Sequence, residues 1–428
     1  MFFLLWVTVI ATTILLLTRF PTVSAIWIGF VGLCAYSIPA LLGITRPVLS
    51  GKMSAYYAPT SDAATLVMAV AWLGFALSLL VADTSGYALR QPTIRAIPHP
   101  VYLNRFLLAA LGLVVLCYSS LAYKSGNFLW LLDPRAEISS YIGADWLLWK
   151  WSIALGFLIG WYFQVPWARN VFSCLLALIV VGADRTTPVI TLVSLGIALM
   201  WGRPAIRTFF SGKSITAAGA VLAVIFYAKP FYVSLKSDQS FSDILASTDA
   251  MSLQAGWEAF GTHELLEKVV ALNVSYPLWS TTRDCLAQFL LVPSYFGFGS
   301  GGFNELLQQQ VFSQATYGLA SNLWAHCWAM GGLLGVLIGG GIYGASILFL
   351  NNSIVRSRGM MFFLFLLGAA TIGVYAHRNS PENILALIRP IVIVFFTIQV
   401  MAIVTTLQVR SRRMIPVRDR HSPTPRGP

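Results

Sequence analysis

Three arginines and one histidine carry most of the chemistry open to this chain. Arg185 follows Asp184 in a break between two short apolar runs. Arg283 lies in the long polar interval after residue 231. Arg378 stands just past an apolar run that ends near Tyr375. A guanidinium is a planar fork that gives two parallel hydrogen bonds to one phosphate. If these loops share a membrane side, all three arginines can converge on one anion. Pro188 opens the helix after Arg185, leaving other first-turn amides free to face the same anion. The plainer reading of Asp184–Arg185 is a local ion pair at a turn, or a snorkelling side chain. His377-Arg378-Asn379-Ser380 reads plainly as a solvated hairpin, and Arg389 either joins the arginines or snorkels outward. His326 lies four residues after Asn322, hence on one helix face. Its imidazole titrates near neutral pH and suits a general base, although a lone histidine in an apolar helix is more often structural. Ser321, just before them, can cap that helix.

The elements that must position these residues are membrane helices. The chain has 428 residues, 57% hydrophobic and only 10% charged, against roughly 25% charged in soluble domains. That excludes a soluble globular protein. The apolar runs are long and continuous, which fits helices of about 20 residues and not the short alternating segments of a barrel. The runs predict eleven spans, at about 1–18, 22–43, 63–82, 106–122, 146–164, 170–183, 186–201, 214–228, 323–349, 359–376 and 384–407. Residues 1–18 lack the positive leading region of a secretory signal and read as a first span. Cys34, Cys117, Cys174, Cys285 and Cys327 show neither metal spacing nor a paired framework and read as free thiols.

The net charge of +12 is read through the positive-inside rule. With the C-terminus inside, sixteen basic residues fall in cytoplasmic connections and ten on the other side, which has much more loop sequence. The division is therefore N-terminal spans to residue 231, an extracytoplasmic loop over 232–320, C-terminal spans over 321–408 and a basic tail over 409–428. That tail suits anionic lipid, so nucleic acid is not required. In the loop, Glu264 and Lys268 are spaced for an i, i+4 pair on an amphipathic helix. Its many aromatics suit a membrane interface or sugar stacking. Phe298–Phe303 is glycine-rich but lacks the Lys-Ser/Thr of a nucleotide loop. Gly331, Gly335 and Gly339 form a small-residue stripe for close helix packing.

Three segments carry a resemblance to the bacterial O-antigen polymerases (Wzy type), within the wider O-antigen ligase and polymerase group. The first is Gly182-Ala183-Asp184-Arg185-Thr186-Thr187-Pro188. The second is the long loop closing with Ser321-Asn322-Leu323-Trp324-Ala325-His326 and then Gly332-Leu333-Leu334-Gly335. The third is Arg378 after the penultimate span. Ser321 stands where the ligases tend to have histidine, which lowers the ligase reading and leaves the base unassigned. The resemblance implies a GT-C-like, all-α polytopic protein of a bacterial inner membrane. It implies a metal-independent glycosyltransferase without cofactor, joining undecaprenyl-diphosphate-linked glycans on the periplasmic side, in company with a chain-length regulator. Arg185, Arg283 and Arg378 would hold the diphosphate. His326, with Glu258 behind it, would serve as base, and Arg283 would also assist catalysis. Asp184, Ser321, Asn322 and His377 complete the candidates. The rivals are an O-antigen ligase and a flippase for lipid-linked sugar.

Overall fold

The computed structural model describes residues 1–45, 48–49, 52–53, 57–84, 99–132, 143–181, 184, 186–209, 211–212, 216, 242, 258–288, 302–311, 321–357 and 359–413. Its helices are α1 (Phe2–Arg19), α2 (Ala25–Leu42), α3 (Asp62–Thr84), α4 (Pro100–Ser125), α5 (Ala144–Tyr162), α6 (Pro166–Val181), α7 (Thr186–Met200) and α8 (Ala205–Phe209). They continue with α9 (Glu258–Ala271), α10 (Leu278–Ala287), α11 (Phe303–Gln310), α12 (Leu323–Arg356), α13 (Met361–Tyr375) and α14 (Pro381–Arg413). The strands among the described residues form two small antiparallel ribbons, Ile44–Thr45 with Ala58–Pro59 and Val48–Leu49 with Lys52–Met53.

Among the described residues, seven helices are long and apolar enough to cross a membrane: α1 to α4 and α12 to α14. The chain is thus a multi-pass helical membrane protein. Three more of the eleven expected spans exist as helices. In α5, Lys150 and four tryptophans dilute the hydropathy, and α6 and α7 are short. The expected span 214–228, the loop segment 298–301 and the tail beyond Arg413 lie outside the described residues.

Burial follows helical periodicity. In α1 the buried residues are Leu5, Val9, Thr12 and Leu16, one stripe at three- and four-residue spacing. Phe3, Ile10 and Ile14 are exposed around it, as lipid-facing residues must be. In α12, Val336, Gly340, Tyr343, Gly344 and Ile347 are inward, while Leu334, Ile338, Ile342 and Phe349 are exposed. The inward stripe packs on α3. A Cβ on Gly340 would lie 2.5 Å from the Ala71 carbonyl, and one on Gly344 would lie 1.9 Å from Ser78 Oγ. Small residues here permit backbone approach in place of a hydrophobic drive that lipid cannot supply.

The apolar run from Leu323 is not one straight helix. At Gly331 (φ −168°, ψ 26°) and Gly332 (φ 58°, ψ −144°) the backbone leaves helical geometry. The Gly332 conformation is one that side chains rarely tolerate. The short piece before the break then folds back along the long piece after it. Trp324 and Tyr343 rings lie 5.9 Å apart, whereas 19 residues of straight helix would span about 28 Å. A Cβ on Gly335 would lie 2.3 Å from the Cys327 carbonyl, and one on Gly339 would lie 2.4 Å from Cys327 Sγ. The glycine stripe expected to meet a neighbouring helix therefore meets its own chain, and Gly331 belongs to the turn. Asn322, not Ser321, caps the short helix, its Oδ1 accepting from the Trp324 and Ala325 amides at 2.8 and 3.3 Å.

Helix α9 buries Leu265, Leu266 and Val269, and Lys268 reaches Glu264 at 3.8 Å. It is fastened to the start of α3. Glu267 Oε1 accepts from Thr60 Oγ1 at 2.6 Å and from the Ser61 amide at 2.8 Å, and His263 Nε2 is 2.7 Å from Thr60 Oγ1. Burial pushes the Glu267 carboxyl up, but its bonds to His263, Thr60 and Ser61 outweigh that and hold it below the usual carboxylate range. A depressed folded pKa adds stability that is present above the unfolded value of about 4.3 and is lost as pH falls through the folded value. Glu267→Gln should lower stability at pH 7 by about 1–3 kcal/mol. The gap to the wild type should shrink as pH drops below 4; a gap independent of pH would contradict the assignment. For the fold-back, Gly339→Cys in a background with the other four cysteines changed to serine should form a disulfide with Cys327. The Cβ separation would be 3.2 Å, just short of the usual range of about 3.5–4.5 Å. A straight helix gives no crosslink.

Candidate functional site

The Ala376–Arg378 turn was expected as a hairpin on the outer surface, and in the structure it is largely buried. Helix α13 has 15 residues, about 22 Å at 1.5 Å per residue, shorter than a hydrocarbon core of about 30 Å. A Cβ on Gly32 would lie 3.3 Å from His377 Nε2. The backbone that packs on Gly32 is that of Gly373, four residues earlier, and the His377 ring lies level with Tyr36, six residues before the end of α2, so the turn sits about 9 Å below that end and touches α9. Pro381 then opens α14 at a position where a missing amide costs nothing.

His377 is fully buried in this body. Its ring stacks on Tyr36 at 5.4 Å, and its Nε2 lies 3.0 Å from the Tyr343 hydroxyl, which donates to the Gly29 carbonyl at 2.8 Å. It cross-links α2, α12 and α13 and serves the packing. Arg378 points elsewhere. It is half-buried, with its guanidinium 5.0 Å from the Tyr375 ring centre, a cation–π arrangement. The Tyr375 hydroxyl is 2.8 Å from Thr186 Oγ1, at the start of α7.

That links the turn to the corner that holds Asp184. Asp184 Oδ1 accepts from the Thr186 and Thr187 amides at 2.9 and 3.1 Å, and its Oδ2 accepts from Lys150 Nζ at 2.7 Å and from Thr187 Oγ1 at 3.0 Å. Two sequence expectations change here. The first-turn amides thought free for an anion are taken by Asp184, which caps the helix. Its ion-pair partner is Lys150 of α5, 34 residues earlier. Arg185 lies outside the described residues.

On the loop side, α10 and α11 meet the head of α12. Arg283 is half-exposed and pairs with its neighbour Asp284 at 3.1 Å. The Tyr276 hydroxyl donates to the other Asp284 oxygen. Burial and the Asp284 bond push that phenol up, so Tyr276 is a fixed donor. Arg389 Nη1 donates to the Gln288 carbonyl at 2.9 Å, which ties α14 to the end of α10. His326 is fully buried. Its Nε2 is 2.7 Å from Thr281 Oγ1, and Phe303 and Tyr276 cover the ring at 4.4 and 5.4 Å. That is the setting of a structural histidine. Asn322 Nδ2 donates to the Thr262 carbonyl at 2.9 Å, so its amide joins α9 to the short helix instead of sharing a face with His326. Ser321 Oγ is buried with no hydrogen-bond partner among the described residues. Glu258 begins α9; its side chain lies outside the described residues.

Sequence reasoning missed Lys150, Tyr276 and Glu382. Lys150 was absorbed into a span, although an ionisable residue inside an apolar helix is itself a signal. Glu382 follows Arg378 by four residues, near enough to have been weighed with it. Tyr276 had no signal beyond the general aromatic density. Among the described residues no group of three or more histidine, cysteine or carboxylate side chains could hold a metal ion, and all five cysteines are free.

The site thus combines a half-buried arginine, a buried lysine–aspartate pair and a carboxylate cluster under short loop helices, all within a multi-pass helical membrane protein. Comparisons with protein-family models, curated proteins and solved structures find no match to this chain.

Removing one partner of a buried ion pair leaves an uncompensated charge and costs about 3–5 kcal/mol. Lys150→Met and Asp184→Asn should each lower the unfolding midpoint in detergent, and the double variant should recover part of the loss. Strict additivity would mean that the two groups do not depend on each other.

Proposed function

We propose that this protein is a membrane glycosyltransferase that polymerises lipid-diphosphate-linked oligosaccharide repeat units on the extracytoplasmic side. The observation that carries the reading is the Arg378 turn. It is half-buried beside the loop helix α9, about 9 Å below the loop-side end of α2, and is joined through Tyr375 and Thr186 to the corner next to Arg185. An undecaprenyl chain lies in the hydrocarbon, so its diphosphate needs cations at the edge of, or below, the headgroup level. The leaving group is that diphosphate, and charge grows on it as the glycosidic bond breaks. Fixed cations in a low-dielectric site stabilise such charge most effectively. Arg378 is the central cation of the proposal, with Arg185 from the neighbouring corner and Arg283 from the loop. The sugars would lie under α9, α10 and α11.

A flippase or transporter for lipid-linked sugar is the second reading. It is favoured by the broken helix α12 and the buried Lys150–Asp184 pair, since transporters use interrupted helices and deep charges near the membrane midplane.

Deleting the gene separates the readings through the surface glycan. A glycan reduced to one repeat unit supports the polymerase. Accumulation of long lipid-linked polymer with none attached would indicate a ligase. Normal polymer from externally supplied units would indicate a flippase. Arg185→Ala, Arg283→Ala and Arg378→Ala should each abolish elongation at normal protein level, and near-normal chain length in all three would overturn the phosphate assignment.

A further inference from the structure

Glu382 is the second residue of α14 and lies four residues after Arg378. It is 4% exposed. Its Oε1 accepts from Ser380 Oγ at 2.5 Å, and the Phe303 amide at the head of α11 also donates to the carboxyl. Its Oε2 is buried and has no hydrogen-bond partner among the described residues. Asp284 and Cys285 of α10 and Tyr276 before it lie close enough for charge to act between them and Glu382, with Arg283 beside them. On the loop side Gly302 lies against it, since a Cβ there would come within 3.1 Å of Oε1.

An unpartnered buried carboxylate oxygen is expensive. His326 and His377 also leave one ring nitrogen each without a hydrogen-bond partner among the described residues, but both rings are enclosed by aromatic side chains. Glu382 is the carboxylate that follows Arg378 by four residues. One oxygen is anchored from two directions and the other is left open, the arrangement a proton acceptor needs.

We propose that Glu382 is the catalytic base, taking the proton from the attacking sugar hydroxyl. The inference rests on the glycosyl-transfer reading. The acceptor O–H proton passes to Oε2, and the acceptor oxygen forms the new bond to the anomeric carbon. The bond from that carbon to the diphosphate oxygen breaks, and its electron pair leaves with the diphosphate beside Arg378. Ser380 is a positioning residue that keeps Oε1 fixed.

The test uses the purified full-length chain and lipid-linked oligosaccharides extracted from cells lacking it. Wild type should build polymer. Glu382→Gln should slow the reaction at least 100-fold while binding the extracted lipid normally, and Glu382→Asp should restore part of the rate. A wild-type protein that builds no polymer overturns the glycosyl-transfer reading, and this inference with it. A wild type that polymerises while Glu382→Gln keeps its rate within a few fold overturns the inference alone. Should Glu382→Gln fail to accumulate, Ser380→Ala decides. Loss of a donor to the carboxylate moves the acidic limb of the rate–pH profile to higher pH, and an unmoved limb overturns the proposal.

Discussion

A polar group below the surface of a membrane has no water to turn to, so the protein itself must satisfy it. This constraint organises the part of the chain around residue 378. Where α13 ends, the polar side chains of the buried turn take up neighbouring groups, while His377 Nδ1 and Glu382 Oε2 have no hydrogen-bond partner among the described residues. Tyr343 serves His377, Ser380 serves Glu382, and Tyr375 joins Thr186 to Arg378. The fold-back of α12 belongs to the same solution. It brings Trp324 against His377 and places the head of the short helix beneath the loop helices, where Tyr276 closes its end by donating its amide to the Ala329 carbonyl at 2.9 Å.

The membrane class was legible in the sequence because apolar run length is a direct requirement of lipid. The amphipathic stretch His263–Val270, which lies within α9, was legible for a similar reason, since its Glu264–Lys268 pair and buried leucines are local. What escaped was the path of the chain within apolar segments. Hydropathy is the same for a straight helix and for one folded at Gly331–Gly332, so the single expected span 323–349 hid the break. The Gly335 and Gly339 spacing announced a close approach but not its partner. The Asp184–Lys150 pairing escaped because 34 residues separate its members, and the same corner hid the fact that Asp184 already fills the helix amides.

The candidate site changes character accordingly. From sequence it was a set of arginines from loop and turns on one membrane side, with His326 as candidate base. In the structure both His326 and His377 are buried among aromatic rings, and the charged groups near the turn and the loop helices are Arg378, Arg283, Glu382 and Asp284. They lie where two elements of different kinds meet, a buried turn between spans and short helices of the loop. In the proposed reading, a lipid-borne diphosphate would approach this place from the hydrocarbon while its sugars extend beneath the loop.

The depth of that turn is therefore what the account stands on. A nitroxide attached at Arg378→Cys in a cysteine-free chain, reconstituted in a bilayer, reports depth through its relative collisions with oxygen and with a water-soluble nickel chelate. A label about 9 Å below the loop-side end of α2, inside the headgroup level, is predicted. A label at the headgroup level would contradict it.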